Sequence, residues 1–263
     1  MDAETILRQL GTSEGLPVEA LRAASQNRAA VLPTFLQTIE EFRAGHATPA
    51  TEKALFYIFF LLGEWRERAA YRPLAAMLRR PSDEIDKILG DAITETAHRV
   101  MAAVFDGDPA PLYDVIRDPN ADEFVRNAIF HALAMVTLRG ELPREDAAQF
   151  LRASYVELLP QDECYVWSGW QSAVALLGLE ELRPLVKQAF ERGFISPTWL
   201  SFADFESDLQ ETISGAPESW LRLTALLSTN GHLTKPLRKW TSSVLIAFGI
   251  PPWSPTYVTF QLS

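Results

Sequence analysis

Few residues of this chain are of types that could do chemistry, and most of those stand alone. Cys164 is the single cysteine, between Glu163 and Tyr165, and the four histidines, His46, His98, His131 and His232, are all distant from it along the chain. A thiol nucleophile needs a base within hydrogen-bond reach, so this lone cysteine at a helix start reads as inert. One cysteine also leaves no internal disulfide and no cysteine-built zinc cluster, which fits a reducing cytoplasm. No two histidines stand at metal spacing, and there is no glycine-rich phosphate loop. Asp106-Gly-Asp108 has the Asp-x-Asp spacing of a calcium loop without its third ligand or closing Glu. It reads as a turn in which Gly107 takes a positive φ and Asp108 caps Pro109. His98, three residues after Glu95, reads as half of a solvated pair, and His131 as exposed on the polar edge of its helix. No catalytic residue, no metal site and no cofactor is expected.

Binding is the better prospect. Trp167 and Trp170 lie three apart on one helical face beside Tyr165. Either they pack against neighbouring helices, the commoner case, or they line a groove that receives a partner's apolar side chain. Arg66, Arg68, Arg72, Arg79 and Arg80 form the densest basic cluster, diluted by Glu64 and Glu67. It reads as a solvated rim or as a contact for an acidic partner. Trp167, Trp170, Arg72 and Arg79 are therefore the candidate partner contacts. The stretch from Asp118 to Leu133 gathers Asp118, Asp122, Glu123, Arg126 and His131.

The elements that must position these residues are helices. The 263 residues are 48% hydrophobic with a net charge of −10, enough for a core without staples. Nucleic-acid binding draws on Lys and Arg, so a nucleic-acid partner is disfavoured. The start carries no basic segment followed by an apolar run. The most apolar run, residues 54–62, is far short of the roughly 20 needed to span a bilayer, so no membrane role is expected. Residues 1–16 have little pattern, with a loop at 11–15. Helical spacing then predicts one helix from Pro17 and a second ending near Phe42. A third runs from Thr48-Pro49 through Trp65 and is apolar almost all round, hence enclosed. Further helices are predicted over 70–80, from a Ser82 cap, and over 93–105, 111–117, 122–138, 144–159, 165–177 and 180–192. The last three start at Ser196-Pro197, 218 and 237. Residues 250–260, with three prolines in six positions, read as an extended tail.

A period underlies this order. Leu36, Leu74 and Leu112 are 38 apart, and steps of 39 and 34 reach Leu151 and Leu185. Each lies in a shorter helix, and Pro33, Pro73, Pro111 and Pro184 precede four of them. Longer helices alternate with these, which is the mark of a helical-repeat array.

Asp118-Pro119, Val125-Arg126, Ala128, Ala132 and Leu133 resemble the junction and first helix of a HEAT-type repeat. That resemblance implies that Arg126 pairs with an acid of the turn or a neighbouring repeat, so Asp118, Asp122 and Arg126 are candidate inter-repeat braces, with Glu123 a further acid. The chain also resembles a bacterial family catalogued as domain of unknown function 1186. The residues that carry this are Leu55 to Trp65, Val104 to Asp108, Asp122 to Arg126 and Gly140 to Glu145, and the match runs over roughly residues 10–200. Some members end in a Cys-rich zinc-binding tail; with one cysteine, that tail's adaptor role does not carry over.

The expected fold is all-α: a single-domain α-solenoid of HEAT-like antiparallel helix pairs with an extended C-terminal tail. Residues 1–48 would cap it, 49–193 form the core repeats, 194–249 the C-terminal helices and 250–263 the tail. Such arrays expose a long face that commonly binds proteins. The expected function is a protein-interaction scaffold in the bacterial cytoplasm, with a protein partner. Two alternatives are a HEAT-type enzyme or cofactor handler, like the bilin lyases or the DNA glycosylases, and a structural homodimer joined by the Trp-rich C-terminal third. Monomer and homodimer both stay open.

Overall fold

The computed structural model describes residues 1–215. The helices read from 218 and 237 and the tail at 250–263 lie outside the described residues. Among the described residues there are fourteen α-helices and no strand. They are α1 (Ala3–Thr12), α2 (Val18–Gln26), α3 (Arg28–Arg43), α4 (Pro49–Trp65), α5 (Tyr71–Met77), α6 (Ser82–Leu89) and α7 (Ala92–Glu95). Then come α8 (Ala97–Val104), α9 (Ala110–Arg117), α10 (Glu123–Leu138), α11 (Arg144–Glu157), α12 (Val166–Leu176), α13 (Arg183–Glu191) and α14 (Phe202–Ser214).

Local chemistry sets several of the starts. Asp2 accepts from Thr5 N at 2.8 Å ahead of α1. Thr48 and Thr51 form a reciprocal capping box at α4, and Ser201 and Asp204 form another at α14. Each such cap contributes about 1 kcal/mol. The Ser201 box is why α14 begins there and not at Ser196-Pro197 as predicted. The predicted helix over 93–105 is cut in two at Thr96, whose hydroxyl donates back to Ala92 O at 3.1 Å. A hydroxyl bound to the i−4 carbonyl competes with the regular ladder. The patternless start is α1, with Ile6 and Leu10 buried one turn apart.

The helices stack in two layers. In the first, α1, α4, α8, α10, α12 and α14 each pack on the next. In the second, α3 packs on α5 and α5 on α9, while α11 and α13 back onto α12. The chain alternates between layers, with α2, α6 and α7 as fillers. The five register leucines fall one each in α3, α5, α9, α11 and α13, the helices of the second layer. This is a solenoid-like, all-α arrangement, and one apolar cluster runs through it from Ile6 to Leu209.

The same period appears in the polar bonds. Arg79 to Asp118, Arg117 to Glu157, Arg139 to Ala102 O and Arg144 to Leu177 O each join residues 33 to 40 apart. Each therefore ties one repeat to the next. First-layer helices come close at glycines. A Cβ on Gly11 would lie 2.2 Å from Ala50 O, and one on Gly63 2.9 Å from a Val100 methyl. Among the described residues no helix is long and apolar enough to cross a membrane.

Candidate functional site: the junction at the start of α10 and its aromatic rim

The junction between α9 and α10 gathers three engaged carboxylates around a buried arginine. Asp118 Oδ2 accepts from Arg79 Nε at 2.8 Å, and its Oδ1 accepts from Asn120 N at 3.0 Å. Burial works against its charge, but Arg79 and the Asn120 N–H outweigh this and hold the carboxyl below its ordinary range. Asp122 Oδ1 caps α10 by accepting from Phe124 N and Val125 N, and its Oδ2 takes the Ser82 hydroxyl of the preceding repeat. Ser82 thus bridges two repeats and does not cap α6 as predicted. Glu123 Oε2 accepts from Tyr165 N at 2.5 Å and from Cys164 Sγ at 3.3 Å, across to the start of α12.

Arg126 departs from the expected ion pair. It is 1% exposed, and its Nε donates to Ile116 O at 2.8 Å. Its Nη2 is buried with no hydrogen-bond partner among the described residues. The acids it was expected to pair with are held by Arg79, the α10 cap and the α12 start. Burial lowers the guanidinium pKa, and Cys164, Asp118 and Glu123 oppose that through space.

Cys164 is buried, and burial together with Glu123 pushes its thiol up to about 11. A thiol that stays protonated at neutral pH is a poor nucleophile. His98 is buried, not solvated beside Glu95, and His131 is half-buried, not exposed. Their rings meet edge to face with centroids 5.9 Å apart. Burial, then the neighbouring His131 and Arg99, pushes His98 down to about 3, and burial pushes His131 down to about 4.

This pair makes stability depend on pH. Above about pH 6.5 the imidazoles are neutral in both folded and unfolded chains, so they add no slope. As the pH falls toward 4, the unfolded chain binds protons that the folded chain refuses. Stability then drops by up to about 1.4 kcal/mol per pH unit for each imidazole. Urea unfolding should show a clear loss between about pH 7 and about pH 5, shallower in His98→Gln. A midpoint that stays put over that range contradicts these pKa shifts.

The four candidate partner contacts have other employment. Trp167 and Trp170 are fully buried. Their indole N–H groups donate to Pro160 O at 3.0 Å and Leu151 O at 2.8 Å, and Trp167 stacks on Phe194. Two enclosed rings with satisfied N–H groups leave no groove between them for a partner. Arg72 reaches Asp106 and Asp108 at 3.0 and 2.7 Å, and Arg79 holds Asp118. Both arginines bridge repeats while remaining partly exposed.

Other aromatic residues face outward. Phe124 is 40% exposed, Trp199 is 42% exposed, and Tyr165 lies half-buried between them. The centroids of Phe124 and Tyr165 are 4.7 Å apart, and those of Tyr165 and Trp199 are 5.1 Å apart. Phe124 and Tyr165 stand at the starts of α10 and α12 and Trp199 in the turn before α14, so the row crosses three repeats along one rim. Leu159, 51% exposed, precedes the α12 start. Sequence reasoning grouped Tyr165 with the buried tryptophans and passed over Phe124 and Trp199. The available signal was the spacing: 41 and 34 residues separate the three, straddling the repeat length.

Open cavities lie elsewhere among the described residues. One, of about 730 Å³, is lined by Arg144, Gln149, Arg152 and Glu181. Arg144 there is already bound to the Leu177 and Gly178 carbonyls. Another, of about 500 Å³, lies between α4 and the α6–α7 turn, where burial pushes the Tyr57 hydroxyl up to about 12. Among the described residues no three His, Cys, Asp or Glu side chains gather as metal ligands.

An uncharacterized protein of Chlamydia trachomatis serovar D is 25% identical over 246 residues, covering 91% of this chain and 96% of its own length. An uncharacterized protein of Chlamydia muridarum is 25% identical over 216 residues, covering 80% of this chain and 86% of its own. No solved structure matches the chain. The model of the family described as Protein of unknown function (DUF1186) matches residues 1–240, and the chain belongs to that family.

Proposed function

We propose that this protein is a non-catalytic protein-interaction scaffold of the bacterial cytoplasm, and that its contact surface is the rim of Phe124, Tyr165 and Trp199. The observation that carries the reading is the row itself: three large rings left partly in water, one per repeat, touching one another. Exposed aromatic side chains are frequent anchors of protein interfaces, and a contiguous apolar patch on a soluble array marks an interaction site. The polar groups give the reading further support. Arg72, Arg79 and Arg117 are engaged in bracing repeats, and the one thiol is held protonated. A DNA glycosylase-like role would call for a basic groove, and the segments that carry the rings have no Lys or Arg. The test is a photo-cross-linking phenylalanine analogue in place of Trp199, with Gln26 as the control position, in the cells that make the protein. A discrete adduct with another protein at 199 and none at 26 is expected. No adduct at 199 refutes the rim, and an adduct of twice the chain mass turns the reading to the homodimer.

A further inference from the structure

We infer that the partner segment seated on this rim is cationic: an extended stretch of another protein bearing arginine, whose guanidinium groups lie on the rings. This rests on the scaffold reading and gives its partner a chemistry.

The charge along the segments that carry the rings is one-sided, with Arg117 and the buried Arg126 just outside the first of them. The segments that carry them, residues 118–124, 156–165 and 196–208, contain several Asp and Glu and no Lys or Arg. Some of those acids are already neutralised: Asp118 by Arg79, Glu157 by Arg117 and Glu206 by Arg183. Asp162 and Glu163 are exposed, three and two residues before the central ring of Tyr165, and form no ion pair among the described residues. Among the described residues the rim therefore offers partly exposed rings close in sequence to carboxylates without an ion pair. An aromatic face attracts a cation through its quadrupole, and arginine more often than lysine. A surplus of −10 on the whole chain steers cationic partners toward it.

The molecule shows the same contact elsewhere. Arg192 lies 4.4 Å from the Phe194 ring centroid, Arg117 4.9 Å from that of Phe150, and Arg28 5.4 Å from that of Trp65. Those rings already hold an arginine. Phe124 and Trp199 are partly open to solvent with Tyr165 half-buried between them, and none of the three carries a stacked arginine among the described residues. End to end the row measures at most about 10 Å, the span of about three residues of extended chain. Two arginines at alternate positions of such a segment could reach it together. A membrane or a nucleic acid, both anionic, would be repelled by the same carboxylates.

The full chain is titrated, by fluorescence anisotropy, with a labelled nonapeptide carrying arginine at alternate positions. A second peptide has citrulline in their place, which keeps the planar group and removes the charge. The arginine peptide should bind, and the citrulline peptide should bind at least about tenfold more weakly. Trp199→Ala and Phe124→Ala should each weaken the arginine peptide about fivefold or more, and Asp162→Asn with Glu163→Gln should do the same. All four positions are exposed, and circular dichroism checks that each variant keeps its helices. Equal binding of the two peptides overturns the inference. So does a Trp199→Ala variant that binds like the parent, which would mean diffuse charge attraction only. So does no binding of the arginine peptide at all. If cross-linking at 199 still captures a protein in either of these last two cases, the rim remains a docking surface and only its cationic preference is lost.

Discussion

Gly169→Ala is expected to destabilise the protein by about 2 kcal/mol, although alanine is the better helix former. Two effects oppose each other at this position. Within α12, alanine gains up to about 1 kcal/mol over glycine from backbone entropy. Against that, a Cβ on Gly169 would lie 2.7 Å from Asn127 Cα and 2.8 Å from Asn127 O. These are backbone atoms of α10 and cannot swing aside as a side chain can. The two helices must separate, loosening the packing around Trp170 and the Asn127 bond to Tyr165 O. Overpacking of this kind costs about 1–3 kcal/mol or more, and here it dominates. Gly15→Ala is the control, since a Cβ there meets nothing within 4 Å. Thermal melts should show a drop of several degrees for the first variant and almost none for the second. Equal melting temperatures would mean that α10 and α12 do not approach as closely as described.

Arg126→Ala is expected to cost about 3 kcal/mol, and Arg126→Met only about 1. Both variants strand the Ile116 carbonyl, and the alanine variant also leaves a cavity where a long buried side chain stood. Methionine refills most of the volume with a flexible apolar chain. It also removes a buried charge whose Nη2 has no partner among the described residues. Replacing a buried charge by a hydrophobe of similar size is often nearly neutral. Chemical denaturation of the two variants separates volume from charge. If Met were as damaging as Ala, the guanidinium charge, balanced through space by Asp118 and Glu123, would outweigh its shape.

The repeat was legible in the sequence because the second-layer helices of the central copies meet the same environment, while Leu36 and Leu185 toward the two ends are only partly buried. Leu74, Leu112 and Leu151 are fully buried at the same step along the array. The Asp118–Leu133 junction was legible as a junction for a similar reason: an aspartate cap and a stripe of small residues act locally. The pairing inside it was not. Which acid meets Arg126 depends on Arg79, Ser82 and Tyr165, which lie a repeat away and compete for the same carboxylates. The first helix escaped notice because Ile6 and Leu10 are a short pattern that becomes a stripe only when α4 covers it. The outward and inward aromatic residues could not be told apart by spacing alone. Trp167 and Trp170 share a face of α12 and turn inward, whereas Tyr165, two residues earlier, sits at the helix start and reaches the rim. His98 and His131 show the same limit, since a histidine at a helix edge is solvated or enclosed according to what the next repeat lays over it.

The most direct test of the account carries the cross-linking analogue to both ends of the row, at Phe124 and at Trp199, in separate full-length proteins. The rim is one continuous surface in this account, so both positions should capture the same partner, with adducts of matching mass that Asp162→Asn with Glu163→Gln diminishes together. Capture of unrelated proteins at the two positions would contradict the rim, and capture that ignores the loss of those carboxylates would remove its cationic preference.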